Sequence, residues 1–199
     1  MKIIGLTGSI GTGKSTVANY LKESNISVIN LDDIAHQTIL KGSKAYNNIV
    51  NEFGNEILDE NGEIDRKQLG VIVFDDVDKL EKLNSFTHPE VLETLAKQIA
   101  INEKSGEPFI VVEVPLLFEL NLERLFDEIV VVFTPLDKQV ERVRKRDNIS
   151  EEEAIKRINL QIPVDKKISD KVLVVDNSKG LPYLKEQVDK LVNQWENIY

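Results

Sequence analysis

The residues best suited to chemistry lie near the start of the chain. Gly8-Ser9-Ile10-Gly11-Thr12-Gly13-Lys14-Ser15 matches G-x-x-x-x-G-K-[ST] at every fixed position. Glycines let such a loop curl until its backbone N–H groups converge on phosphate oxygens. A helix starting at Lys14 would add its positive N-terminal end. Lys14 is long enough to reach β- and γ-phosphates, and the Ser15 hydroxyl suits a magnesium ion. Residues 11–16 are therefore the candidate nucleotide-phosphate binders. A glycine-rich turn capping a helix would need no ligand, but this pattern sits between a strand-like run and a helix-like run, the setting a phosphate loop requires.

A phosphate loop does not name a reaction. A nucleotide-dependent switch and a small-molecule or nucleoside-monophosphate kinase both use one. No N-K-x-D tetrapeptide, the guanine-reading signal of GTPase switches, occurs. Asp32 and Asp33 follow an apolar run that would end beside the loop in a parallel sheet, where such folds bind ligands. A carboxylate there could orient an acceptor hydroxyl for in-line attack. Helix N-capping would also account for both acids. Arg142, Arg144, Lys145 and Arg146 share one helical stretch, with Arg157 in the next. Arg142 and Arg146 are four apart and lie on one face, so they could neutralise charge on a transferring phosphoryl group; a solvated face paired to Glu141 and 151–153 is the alternative. Glu113 ends an apolar run, where a carboxylate could hold magnesium through water or have only a structural partner.

These groups need elements to position them. Residues 2–7, 26–31, 109–114, 128–134 and 171–175 are apolar, largely β-branched runs that read as strands. Thr134 and Pro135 read as the N-cap and first residue of a helix reaching about Arg146. Ser150 to Glu153 is a capping-box pattern for a helix ending near Gln161. Five strands separated by helices predict an α/β, doubly wound parallel sheet. Residues 34–107 are polar and helical in pattern, with a turn at 59–63 and a helix break before Pro89. This stretch is too long for a simple crossover and reads as an inserted substrate domain. Trp195, in a final amphipathic helix, is expected to pack on the sheet.

The bulk composition narrows the partners. The 199 residues contain no cysteine, which removes disulfides, thiol nucleophiles and cysteine-based metal sites. A net charge of −9 disfavours broad nucleic-acid or anionic-membrane binding. No apolar run has the length of a membrane span, and the opening residues are unlike a signal peptide, so a cytoplasmic protein is expected.

Several stretches together resemble the dephospho-CoA kinase family. They are LTGSIGTGKSTVA, VINLDDIAH, IDRKQLGVIVF, LNSFTHPEV, VPLLFE, QVERVRKRD, AIKRINLQ and VVDNSKG. Their order is more specific than the phosphate loop, which many kinases share. The resemblance runs nearly end to end. It implies ATP-dependent phosphorylation of the ribose 3′-hydroxyl of dephospho-CoA, with Mg²⁺. The implied architecture is a three-layer P-loop kinase core with a five-stranded parallel sheet (1–34 and 109–199), a helical CoA-binding insertion (35–108) and a helical lid (140–166). By position, Lys14, Asp32, Arg142 and Arg146 would be catalytic. Gly11, Thr12, Gly13, Lys14, Ser15 and Thr16 would bind ATP, and Ser15 with Glu113 the metal. Asp32, His36, Arg66, His88 and Arg157 would bind substrate, although His36 could lie merely at the surface and His88 could simply cap a helix or fill a polar pocket. Asn30 stands where the family has the first acid of a pair, and Asp33 is an extra acid. The expected partners are ATP and dephospho-CoA, with no nucleic acid and no membrane, in a monomer or small homo-oligomer.

Overall fold

The computed structural model describes residues 1–73 and 76–198. Phe74, which ends the 64–74 motif, lies outside the described residues. Two compact units emerge: residues 1–30 with 102–199, and residues 31–101. The sequence reading set these boundaries at 34/35 and 108/109.

The first unit is built on a parallel sheet. β1 (Lys2–Thr7), β2 (Val28–Asn30), β3 (Phe109–Glu113), β4 (Glu128–Phe133) and β5 (Leu173–Asp176) stand in the order β2-β3-β1-β4-β5. Every pairing is parallel. β3 is buried at each of its residues, so its run of Phe, Ile and Val needs no polar face. On one side the sheet packs against α1 (Lys14–Glu23) and α8 (Leu181–Ile198) through Val17, Leu21, Leu184, Val188 and Trp195. The Trp195 indole is fully buried, donates to Glu128 and meets the Phe109 ring at 5.4 Å between centroids. α6 (Leu136–Asp147) and α7 (Glu151–Asn159) pack on each other through Val140, Val143, Ala154 and Ile158. The Ser150–Glu153 capping box starts α7 as the sequence suggests.

The second unit is helical, with α2 (Leu31–Thr38), α3 (Lys44–Phe53), α4 (Arg66–Val73) and most of α5 (Val77–Lys104). Its core gathers Tyr46, Ile49, Phe53, Ile57, Leu69 and Val73. The expected turn is present: Gly62 takes φ +74° between bridge partners Leu58 and Ile64.

Three expectations need correction. The second strand ends at Asn30, so Asp32 and Asp33 sit in the first turn of α2, where the helix dipole favours acids. No break precedes Pro89; α5 runs through it. Leu80, Leu83 and Phe86 before the proline pack on the helical core and Val91 and Leu95 after it are buried, so packing holds the helix across the proline. Thr134 is not an N-cap: α6 begins at Leu136 after Pro135, and the Thr134 side chain is spent elsewhere.

Candidate active site

The loop between β1 and α1 folds as a cradle for local reasons. Gly11 and Gly13 take φ +80° and +89°, a region costly for any residue with a Cβ. Space is also denied: a Cβ on Gly13 would lie 2.1 Å from Asn177 Nδ2. No side chain caps α1 and no acid sits in its first turn. Its first amides and dipole are thus left for an anion.

The loop is braced from beneath. The buried Thr134 hydroxyl donates to the Thr12 carbonyl at 3.0 Å, and Asn177 Nδ2 donates to the same oxygen at 2.8 Å. Arg142 adds its guanidinium: Nη1 reaches the carbonyls of Gly11 and Thr12 (both 3.3 Å) and Thr134 Oγ1 (3.2 Å), while Nη2 donates to the Asn177 carbonyl at 2.9 Å. From the other flank, Gln161 Oε1 accepts the Ile10 N–H at 2.7 Å, and Ser9 Oγ donates to the Ile162 carbonyl at 2.9 Å. Asn177 and Gln161 have no assigned role in the sequence, and Thr134 has only that of a helix cap. Their motifs were visible, but their job is to satisfy backbone atoms, which leaves no charge or ligand signature.

At the mouth of the loop, Glu113 joins three donors. The residue is 4% exposed. Oε1 pairs with Lys14 Nζ and accepts from Ser15 Oγ, both at 3.3 Å; Oε2 accepts from Asn30 Nδ2 at 3.3 Å. The sheet explains the meeting, since Asn30 and Glu113 are register partners at the ends of β2 and β3. A hydroxyl and a carboxylate side by side form a hard-oxygen donor set that suits Mg²⁺.

Arg146 on α6 and Arg157 on α7, which the family resemblance assigns to a lid, meet at one carboxylate. Arg146 grips Asp147 with two hydrogen bonds, 2.7 Å and 3.0 Å, and Arg157 adds a third at 2.7 Å. The hydrogen bond from Arg146, then the charges of Arg146 and Arg157, hold the Asp147 carboxyl below its ordinary range. Arg142 and Arg146 share a helix, yet one supports the loop and the other pairs with Asp147.

In the helical unit, Asp32 and His36 are four apart on α2 and both exposed, Arg66 opens α4, and His88 is exposed within α5.

The dephospho-CoA kinase family model, CoaE, matches residues 2–182. The chain belongs to the dephospho-CoA kinase family. It is 42% identical to a dephospho-CoA kinase of Carboxydothermus hydrogenoformans, covering 98% of this chain and 95% of that protein. It is 41% identical to one of Bacillus licheniformis, covering 98% of each. Among solved structures, TT1252 from Thermus thermophilus superimposes with a TM-score of 0.84 at 31% identity over 97% of each chain. A dephospho-CoA kinase from Campylobacter jejuni gives 0.66 at 28% identity over 98% of this chain and 97% of that one. These likenesses bear out the α/β fold and the family resemblance.

Proposed function

We infer that the protein transfers the γ-phosphoryl group of ATP to the ribose 3′-hydroxyl of dephospho-CoA, giving coenzyme A and ADP, the last step of coenzyme A synthesis. The observation that carries this reading is a phosphate cradle with Lys14, Ser15 and Glu113 at its mouth, in a chain that matches the kinase family along nearly its whole length.

The chain's residues divide the work. Amides of residues 11–16 and the bare N-terminus of α1 receive the β- and γ-phosphates. Lys14, paired with Glu113, reaches the phosphate oxygens as a mobile point charge. Ser15 and Glu113 would hold Mg²⁺, which when bound spreads the negative charge of the phosphates. Asp32, two residues beyond the end of β2, accepts the acceptor hydroxyl's hydrogen bond and aims its oxygen in line. Because phosphoryl transfer passes through a loose transition state, aiming outweighs full deprotonation. Arg142 keeps the loop carbonyls turned away from the phosphates, which leaves Arg146 and Arg157 to exchange Asp147 for the transferring group as α6 and α7 act as a lid. Residues 31–101 are the dephospho-CoA-binding insertion, with His36, Arg66 and His88 as contacts.

The test is a panel assay with ATP and dephospho-CoA, AMP, CMP or shikimate. Only dephospho-CoA should be phosphorylated. Turnover with another acceptor, or phosphate release alone, would reject the reading. The Lys14→Ala variant should abolish turnover.

A further inference from the structure

One buried charge lies outside the phosphate cradle. Lys167 ends the single turn Val164–Lys167, and its side chain has no exposure to solvent. Its ammonium stands 2.8 Å from Glu119 Oε1. That oxygen also accepts the Ile162 N–H at 3.0 Å. The Ile162 carbonyl accepts the Ser9 hydroxyl, and neighbouring Gln161 accepts the Ile10 N–H. A line of contacts therefore runs from Lys167 through Glu119 and residues 161–162 to the outer flank of the phosphate loop. It starts where the chain has just left α7.

Stability alone is a poor account of this pair. Desolvating an ammonium and a carboxylate is repaid only when their remaining hydrogen-bonding capacity is met. Here Glu119 Oε2 is buried without a hydrogen-bond partner among the described residues, and Lys167 Nζ is held by charge without hydrogen-bond geometry. An apolar pair of similar volume would serve a core as well. What such a pair would lack is an oxygen that fixes the Ile162 amide.

We propose that Glu119 and Lys167 are positioning residues for ATP. Lys167 fixes the Glu119 carboxylate, Glu119 fixes residues 161–162, and these hold Ser9 and Ile10 so that the loop is shaped for phosphate before ATP arrives. The proposal rests on the reading of this loop as the ATP cradle.

Three variants test it: Glu119→Gln, the double Glu119→Leu/Lys167→Met, and Gln161→Ala. The readouts are the thermal midpoint, ADP affinity by calorimetry without acceptor, and the two KM values. Glu119→Gln, which strands the buried ammonium, should lower the midpoint most, and the double variant should regain much of it. The double variant and Gln161→Ala should each bind ADP about tenfold more weakly, the effect of one or two lost hydrogen bonds. The KM for ATP should rise in step, with the acceptor KM and kcat at saturating ATP unchanged. A double variant, or Gln161→Ala, with native ADP affinity overturns the proposal; so does an equal rise in both KM values. If the double variant does not fold, Gln161→Ala decides. A native protein that binds ADP but does not phosphorylate dephospho-CoA would reject the assigned acceptor and leave this inference standing.

Discussion

Replacing Arg142 with Met should weaken the fold and ATP binding together. The guanidinium serves four oxygens, on Gly11, Thr12, Thr134 and Asn177. The Asn177 bond, at 2.9 Å and from a charged donor, contributes about 1.5 kcal/mol. The other three, at 3.2–3.3 Å, share one nitrogen and together contribute about as much again. Thr12 O keeps its bond from Asn177, and the Thr134 hydroxyl lies 3.3 Å from Asn177 O, so removal strands chiefly Gly11 O. Arg142 is half-buried, so water recovers part of the loss. The net expectation is about 2–3 kcal/mol, or roughly 5–10 °C in thermal midpoint for a chain of this size. Calorimetry or circular dichroism reads the midpoint, and steady-state kinetics should give a raised KM for ATP. Arg142→Lys should not rescue either, because one ammonium cannot span the four acceptors. If Arg142→Met keeps its native midpoint and native ATP KM while kcat falls a hundredfold or more, Arg142 acts on the transferring group and the brace argument is wrong.

Other substitutions probe separate parts of the site. Asp32→Asn should lower kcat about a hundredfold or more while ADP affinity measured by calorimetry changes little, because the lost function is aiming the acceptor. Gly13→Ala combines a left-handed φ with a clash at Asn177, and should lose nucleotide binding and at least about 1–2 kcal/mol of stability in denaturant titrations. Asp147→Asn should loosen Arg146 and Arg157, shifting the ATP KM and its salt dependence with little change in thermal midpoint, since both arginines are exposed. The folded-state pKa of Asp147 is depressed, so the pairing is complete above the unfolded-state value and is lost only as pH falls through the lower folded value. A carboxyl-detected NMR titration should find Asp147 titrating below an ordinary aspartate.

Most of the framework was legible in the sequence because it depends on periodicity and backbone chemistry. The five strands are β-branched runs, and the phosphate loop is fixed by the conformations only glycine takes easily. The α7 capping box and the buried Trp195 follow from equally local signals. The corrections have physical causes. Pro89 reads as a break, yet the packing of Leu83 and Phe86 before it and the burial of Val91 and Leu95 after it carry α5 across. Thr134 looks like a cap because Thr-Pro favours one, but a tertiary acceptor, the Thr12 carbonyl, wins its hydroxyl. Within the site, spacing placed Arg142 and Arg146 on one face and could not say that they serve different partners. Asn177, Gln161 and Glu119 were the hardest to read, since each acts on backbone atoms brought close only by the fold.

In the proposed reaction the γ-phosphoryl group goes to a ribose 3′-hydroxyl. The direct measurement is ³¹P NMR of a reaction containing the protein, Mg-ATP and dephospho-CoA. A new phosphomonoester resonance correlated with the ribose H3′ should appear and grow in step with ADP. Inorganic phosphate with no new monoester, or a monoester at any other position, would contradict it.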